Sequence, residues 1–167
     1  GGTKLRDEYG KKCDLDKVAE SWELSCHKDG CSAVADGEYA GLTLPQYIEK
    51  AGKAVLGTDC EKFEYFPILI KLIDAKQNLS VQVHPDNDYA MRVEGEYGKT
   101  EMWYVVAADR GAHLKSGFSE QLTPAEYERK VADHTLTDAL CDYSVAAGDL
   151  FFLPAGRVHA ICAGTFV

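Results

Sequence analysis

Apolar and polar positions change their period several times along the chain, and each change marks an element. The first forty residues are rich in Gly, Asp and Lys and show little periodicity, apart from "SWELS" at 21–25, which alternates and predicts a short strand. "LTLPQYIEKAGKAVLG" predicts a helix, with Tyr47, Ile48, Ala51 and Val55 at helical spacing, Thr43 as its cap, Pro45 in its first turn and Gly57 at its end. The nearly continuous apolar run "FPILIKLIDA", 66–75, predicts a strand buried on both faces, with a buried helix as the alternative. After a short "KQN" turn, "LSVQVH" predicts another strand, and Asp86 is placed to cap a short helix over "NDYAMRV". "TEMWYVVAAD", 100–109, is rich in β-formers, and "AHLKSGF" continues the sheet. At 123 the period switches. Thr123, Pro124 and Glu126 make a capping box with Pro at the first helical position, and Thr135 with Asp138 repeats it, so a helical insert is expected at about 123–141. Strand signals return in "YSVAAGDLFFLPAGRVHAICAG". Many short strands between Gly and Pro turns predict a mainly β, antiparallel sandwich or barrel with inserted helices.

Composition narrows the classes. A chain of 167 residues, 46% hydrophobic and 27% charged, suits one soluble domain with a sizeable core. The formal net charge of −9 argues against nonspecific binding to nucleic acid or to an anionic membrane surface, and leaves room for a local basic pocket that takes a small anion. No run is apolar for long enough to span a bilayer, and nothing at the start resembles a signal peptide, so a cytoplasmic setting is expected. The six cysteines, at 13, 26, 31, 60, 141 and 162, form no CxxC pair and match no zinc ribbon. Cys26 and Cys31 would bridge only in an oxidising compartment. Free thiols are the expectation, and none is assigned to chemistry.

Two stretches carry candidate chemistry. In "VQVHPD" an extended backbone would put Gln82, His84 and Asp86 on one face. In "GDLFFLPAGRVHAI" a strand runs into a Pro-Ala-Gly turn and the chain returns with His159 near the start of the next strand. The spacing Gly148, Pro154, Gly156, His159 resembles the second signature of the cupin superfamily, whose histidine is a metal ligand, although the family's frequent Asn is replaced here by Ala163. The resemblance implies an antiparallel jelly roll. With "IKLIDAKQNLSVQVHPD" and "YGKTEMWYV", and more weakly "GGTKLRDEYGK" and "ESWELSCH", the chain resembles type I mannose-6-phosphate isomerase over almost its whole length. That family's zinc ligands fall on Gln82, His84, Glu101 and His159. Its substrate-bordering positions fall on Ser80 and Lys99, and the candidate catalytic groups are Lys99 and Glu101. The family's pattern extends beyond both ends of the sequence, so the resemblance implies a single catalytic domain over 1–167, incomplete at both ends.

Taken singly, each of these residues has an ordinary reading. His84 is a strand histidine, Gln82, Glu101 and Lys99 are solvated side chains, Ser80 is a turn residue and His159 flanks a turn. Together they fill one ligand set within two spaced signatures. His27, His113 and His134 are expected at the surface, and Trp22 and Glu23 serve either packing or the site. The resemblance implies a zinc-dependent aldose–ketose isomerase acting on mannose 6-phosphate and fructose 6-phosphate, in which zinc polarises the carbonyl while a base moves one proton. The choice of base between Lys99 and Glu101 stays open, as does the oligomeric state. The alternative is a non-catalytic module that binds metal and a sugar phosphate. An iron cupin is disfavoured by the amide ligand, since iron oxygenases present two His and a carboxylate.

Overall fold

In chain order the computed structural model has helix α1 (Lys4–Asp7), strand β1 (Glu20–Leu24), helix α2 (Leu44–Ala51), strand β2 (Ile70–Ala75), helix α3 (Asn87–Val93), strands β3 (Glu101–Tyr104), β4 (Ala107–Ala108) and β5 (His113–Phe118), helix α4 (Pro124–Ala132), and strands β6 (Leu140–Ser144), β7 (Leu150–Leu153), β8 (His159–Ile161) and β9 (Thr165–Phe166). All of residues 1–167 are described. They group into two compact units, Gly1–Ala19 with Ile73–Val167, and Glu20–Leu72.

The larger unit is antiparallel throughout, as its short strands and Gly/Pro turns predict. β9 pairs with both β2 and β4, β3 pairs with β7, and β5 lies between β6 and β8. Its core is Ala75, Trp103, Val105, Leu114, Leu153, Ile161 and Val167, from the strands and, for Val105 and Val167, from the residues directly after β3 and β9. Phe166 is fully buried and stacks on Tyr9 with ring centroids 4.5 Å apart. On the β3–β7 ladder the two-residue period of a strand is plain. Glu101 and Trp103 face inward with Leu153 and Phe151, while Met102, Tyr104, Phe152 and Leu150 are exposed. In the smaller unit Lys71 packs its ammonium 4.4 Å from the centre of the Trp22 ring and pairs with Glu20, whose carboxylate also accepts from the Trp22 indole N–H. Trp22 therefore packs within this unit, and Gly30 lies close beneath its ring.

The helix signals act as expected where a cap is present. Thr123 and Glu126 form the reciprocal capping box, with the Glu126 carboxylate accepting from the Thr123 N–H at 2.8 Å and the Thr123 hydroxyl accepting from the Glu126 N–H at 3.3 Å. Asp86 caps α3 by accepting from the Tyr89 N–H at 2.8 Å.

Several boundaries differ from the pattern. α2 stops at Ala51, because Gly52 turns at φ +88°, and only a 3₁₀ turn follows at Lys53–Leu56. The run at 66–75 becomes a strand only from Ile70, with Ile68 and Ile70 about half exposed, so it is not buried on both faces. "LSVQVH" forms a single bridge at Gln82 rather than a strand. The stretch 100–109 divides into β3 and β4. Thr135 makes no side-chain cap, and the second helical signal shrinks to a 3₁₀ turn before β6 begins at Leu140.

Candidate metal centre

The site forms where three chain segments are laced together by backbone bonds in the larger unit. Gln82 and His159 exchange N–H···O=C bonds of 2.9 Å in both directions, and the His84 carbonyl accepts from the Gly156 N–H at 2.7 Å. The Pro154–Gly156 turn therefore holds the "VQVHP" segment on one side. On its other side the Pro85 carbonyl accepts from the Lys99 N–H at 3.0 Å, and the Asn87 side-chain oxygen accepts from the Gly98 N–H at 2.9 Å. Gly98 has to be glycine for this approach, since a Cβ there would stand 2.3 Å from the Asp86 carbonyl carbon. Glu101 then follows two residues after Lys99, at the start of β3.

These contacts bring His84, Glu101 and His159 together, each offering one ligand atom within 4.8 Å of the others. The Glu101 carboxylate oxygen lies 3.1 Å from His159 Nε2 and 3.7 Å from His84 Nε2. Four ligands held at about 2.0–2.1 Å around a tetrahedral ion stand about 3.3 Å from one another, so the spacing suits a small divalent metal. The tautomer suits it too. His159 Nδ1 lies 2.8 Å from the Arg157 carbonyl, an acceptor, so Nδ1 carries a proton and Nε2 is the nitrogen left for a metal. That Nε2 is buried and has no hydrogen-bond partner despite the carboxylate 3.1 Å away. One proton shared across that gap, or a metal ion held between them, would satisfy both atoms. Trp103 sets its ring edge-on to His159, centroids 5.2 Å apart at 83°, and fixes the imidazole.

Gln82 shares the face of His159, because residues directly opposed in an antiparallel bridge point to the same side. Its amide nitrogen donates to the Ser80 hydroxyl at 3.3 Å, a bond that does not use the amide oxygen. Lys99 Nζ lies 2.8 Å from Glu101 Oε1 and 3.2 Å from His84 Nε2, so one cation already stands against the cluster. Burial pushes the Glu101 carboxyl up, but the close contacts with His159 and Lys99, and the charges of Lys99 and His84, outweigh it and bring the pKa down to about 2. Asp86 is used in capping α3, and His27, His113 and His134 stand apart from the cluster. No sequence signal marked the Arg157 carbonyl or Trp103 as parts of the centre.

Comparison with known proteins identifies the family. Residues 1–117 match the family described as phosphomannose isomerase type I, catalytic domain. The chain belongs to that family. It is 40% identical over 168 residues to the mannose-6-phosphate isomerase of Streptococcus mutans, covering 100% of this chain and 52% of the relative. The Bacillus subtilis mannose-6-phosphate isomerase ManA is 35% identical over 165 residues, covering 98% of this chain and 51% of the relative. A crystal structure of mannose 6-phosphate isomerase from Bacillus subtilis superimposes with a TM-score of 0.90 at 34% identity, covering 99% of this chain and 52% of that one. The chain thus spans about half the length of the phosphomannose isomerases it matches.

Proposed function

We propose that this site binds zinc and serves the interconversion of mannose 6-phosphate and fructose 6-phosphate, with residues 1–167 as the larger part of the catalytic domain. The observation that supports this most is the meeting of His84, Glu101 and His159 around an unpaired imidazole nitrogen, in a chain of this family. Gln82, His84, Glu101 and His159 would hold the ion, three strong ligands and one neutral amide. Bound zinc supplies a Lewis acid that polarises the substrate carbonyl without redox change.

The remaining work falls to the chain's own side chains. Isomerisation of the aldose to the ketose moves one proton from C2 to C1 and one from the C2 hydroxyl to the oxygen on C1. Glu101, with a carboxyl pKa of about 2 and both oxygens engaged, is a poor proton acceptor. Lys99 Nζ, 2.8 Å from it and exposed, is the better-placed group to hold a developing oxyanion and to carry a proton along the two carbons. Ser80, exposed beside Gln82, presents a hydroxyl to a sugar oxygen. A cytoplasmic setting fits six unpaired cysteines.

The test is metal analysis of the purified chain together with an assay coupling fructose 6-phosphate formation to a dye. One zinc per chain with turnover that Lys99→Ala lowers by about 10²–10⁴-fold supports the reading. Absence of zinc after reconstitution refutes it. Coverage of about half of each relative favours a second reading, a module that binds metal and sugar phosphate without turnover. Zinc uptake and substrate binding without isomerisation would select it.

A further inference from the structure

Arg157 contributes its backbone carbonyl to the His159 tautomer, and its side chain is set to a separate use. The guanidinium Nε donates to the Ser116 hydroxyl at 2.9 Å. Ser116 is buried, and on the β5–β8 ladder it stands directly opposite His159. Opposed residues of an antiparallel pair point to the same face with their Cα atoms about 4.5–5.5 Å apart. The Ser116 hydroxyl and the His159 imidazole therefore share the side of the sheet that carries the metal centre, and the guanidinium is anchored there through Ser116.

The next residue makes room for this arrangement. Gly117 adopts φ +77°, and a Cβ on it would stand 3.1 Å from Arg157 Nη2. The missing side chain is thus what the guanidinium rests against. The Ser116 contact uses one of five guanidinium N–H groups, and no Asp or Glu stands against the other four. This occurs in a chain with 27 acidic and 18 basic residues. The side chain is exposed, so a solute can reach it.

We propose that Arg157 is an anion-binding residue beside the metal centre, and that the anion it takes is the phosphate of the phosphorylated sugar. The naming of the substrate rests on the isomerase reading above; the anion site does not. A planar fork with its donors unpaired, held from behind by a hydroxyl, is suited to two phosphate oxygens at once. Arg157 binds and positions, and it takes no part in proton transfer.

Two measurements test this. In the first, the unmodified chain, with and without zinc, is labelled with phenylglyoxal and mapped by mass spectrometry at rising inorganic phosphate, against chloride at equal ionic strength. Phosphate should slow labelling of Arg157 in both forms and leave Arg110 and Arg129 unchanged. In the second, Arg157→Gln should raise KM for the phosphorylated sugar and the inhibition constant of inorganic phosphate about ten- to hundredfold, by more than kcat falls, with zinc content unchanged and partial recovery in Arg157→Lys. Labelling of Arg157 indifferent to phosphate, or an unchanged inhibition constant, overturns the proposal while turnover by the unmodified chain still stands. Phosphate protection without turnover supports the anion site and removes the isomerase reading instead. If Arg157→Gln does not fold, the labelling of the unmodified chain decides the matter by itself.

Discussion

Replacing Glu101 by Gln in the metal-free chain isolates what the centre costs or contributes before any ion arrives. Gln keeps the shape of the side chain and removes its charge, so it approximates the protonated carboxyl. The carboxyl pKa falls from an ordinary 4.5 to about 2 in the folded chain, against the cost of burial, under the close contacts with His159 and Lys99. At about 1.4 kcal/mol for each tenfold change in proton affinity, the ionised form stabilises the fold by about 3 kcal/mol. The sign follows from the depressed value. The stabilisation is complete above about pH 4.5, where the unfolded chain is also ionised, and it is lost as pH falls toward 2. Urea unfolding of EDTA-treated protein should therefore place Glu101→Gln about 3 kcal/mol below the unmodified chain at pH 7, with the gap narrowing below pH 4.5. A gap of the same size at pH 7 and pH 3 would mean that packing, and not charge, was lost. No gap at pH 7 would mean that Lys99 and the two histidines do not hold the carboxylate in the way described.

Three further outcomes follow from other parts of the fold. His84→Ala and His159→Ala should each abolish stoichiometric zinc, measured by plasma mass spectrometry after reconstitution, and full occupancy in either variant would remove that ligand from the set. Thr123→Ala breaks the capping box of α4 and should cost about 1 kcal/mol, seen as a fall in melting temperature of about 2–4 °C with zinc content unaffected. Phe166→Ala empties a fully buried position stacked on Tyr9 and should cost about 3–5 kcal/mol in urea unfolding; a loss below 1 kcal/mol would mean that the strand repacks freely.

Much of this was legible where local chemistry decides the structure. Thr123, Glu126 and Asp86 each cap a helix through atoms three residues away, so their patterns translate directly. The alternation of Glu101, Met102, Trp103 and Tyr104 gives the two faces of β3 for the same reason. The run at 66–75 was less legible, because composition marks apolar residues and not which of them find a covering layer; Ile68 and Ile70 do not. The candidate ligands could be named through a resemblance, but their meeting depends on the Gln82–His159 bridge and on Gly98 closing against Asp86, contacts with no local signature. Arg157 was illegible for the same reason. Between Gly156 and Val158 it reads as one more solvated charge, and only the pairing of Ser116 with His159 shows which way it faces.

The lacing of Gln82 to His159 also sets an order of events during synthesis. His84 and Glu101 leave the ribosome long before His159, and until His159 arrives the "VQVHP" segment lacks the strand that holds it and the centre lacks its buried imidazole. Contacts so distant in sequence close late in folding. Between the synthesis of Glu101 and that of His159 the nascent chain thus holds Gln82, His84 and Glu101 without the buried imidazole that closes the site. Capture of an ion by this cluster would then report that segments far apart in the sequence have met.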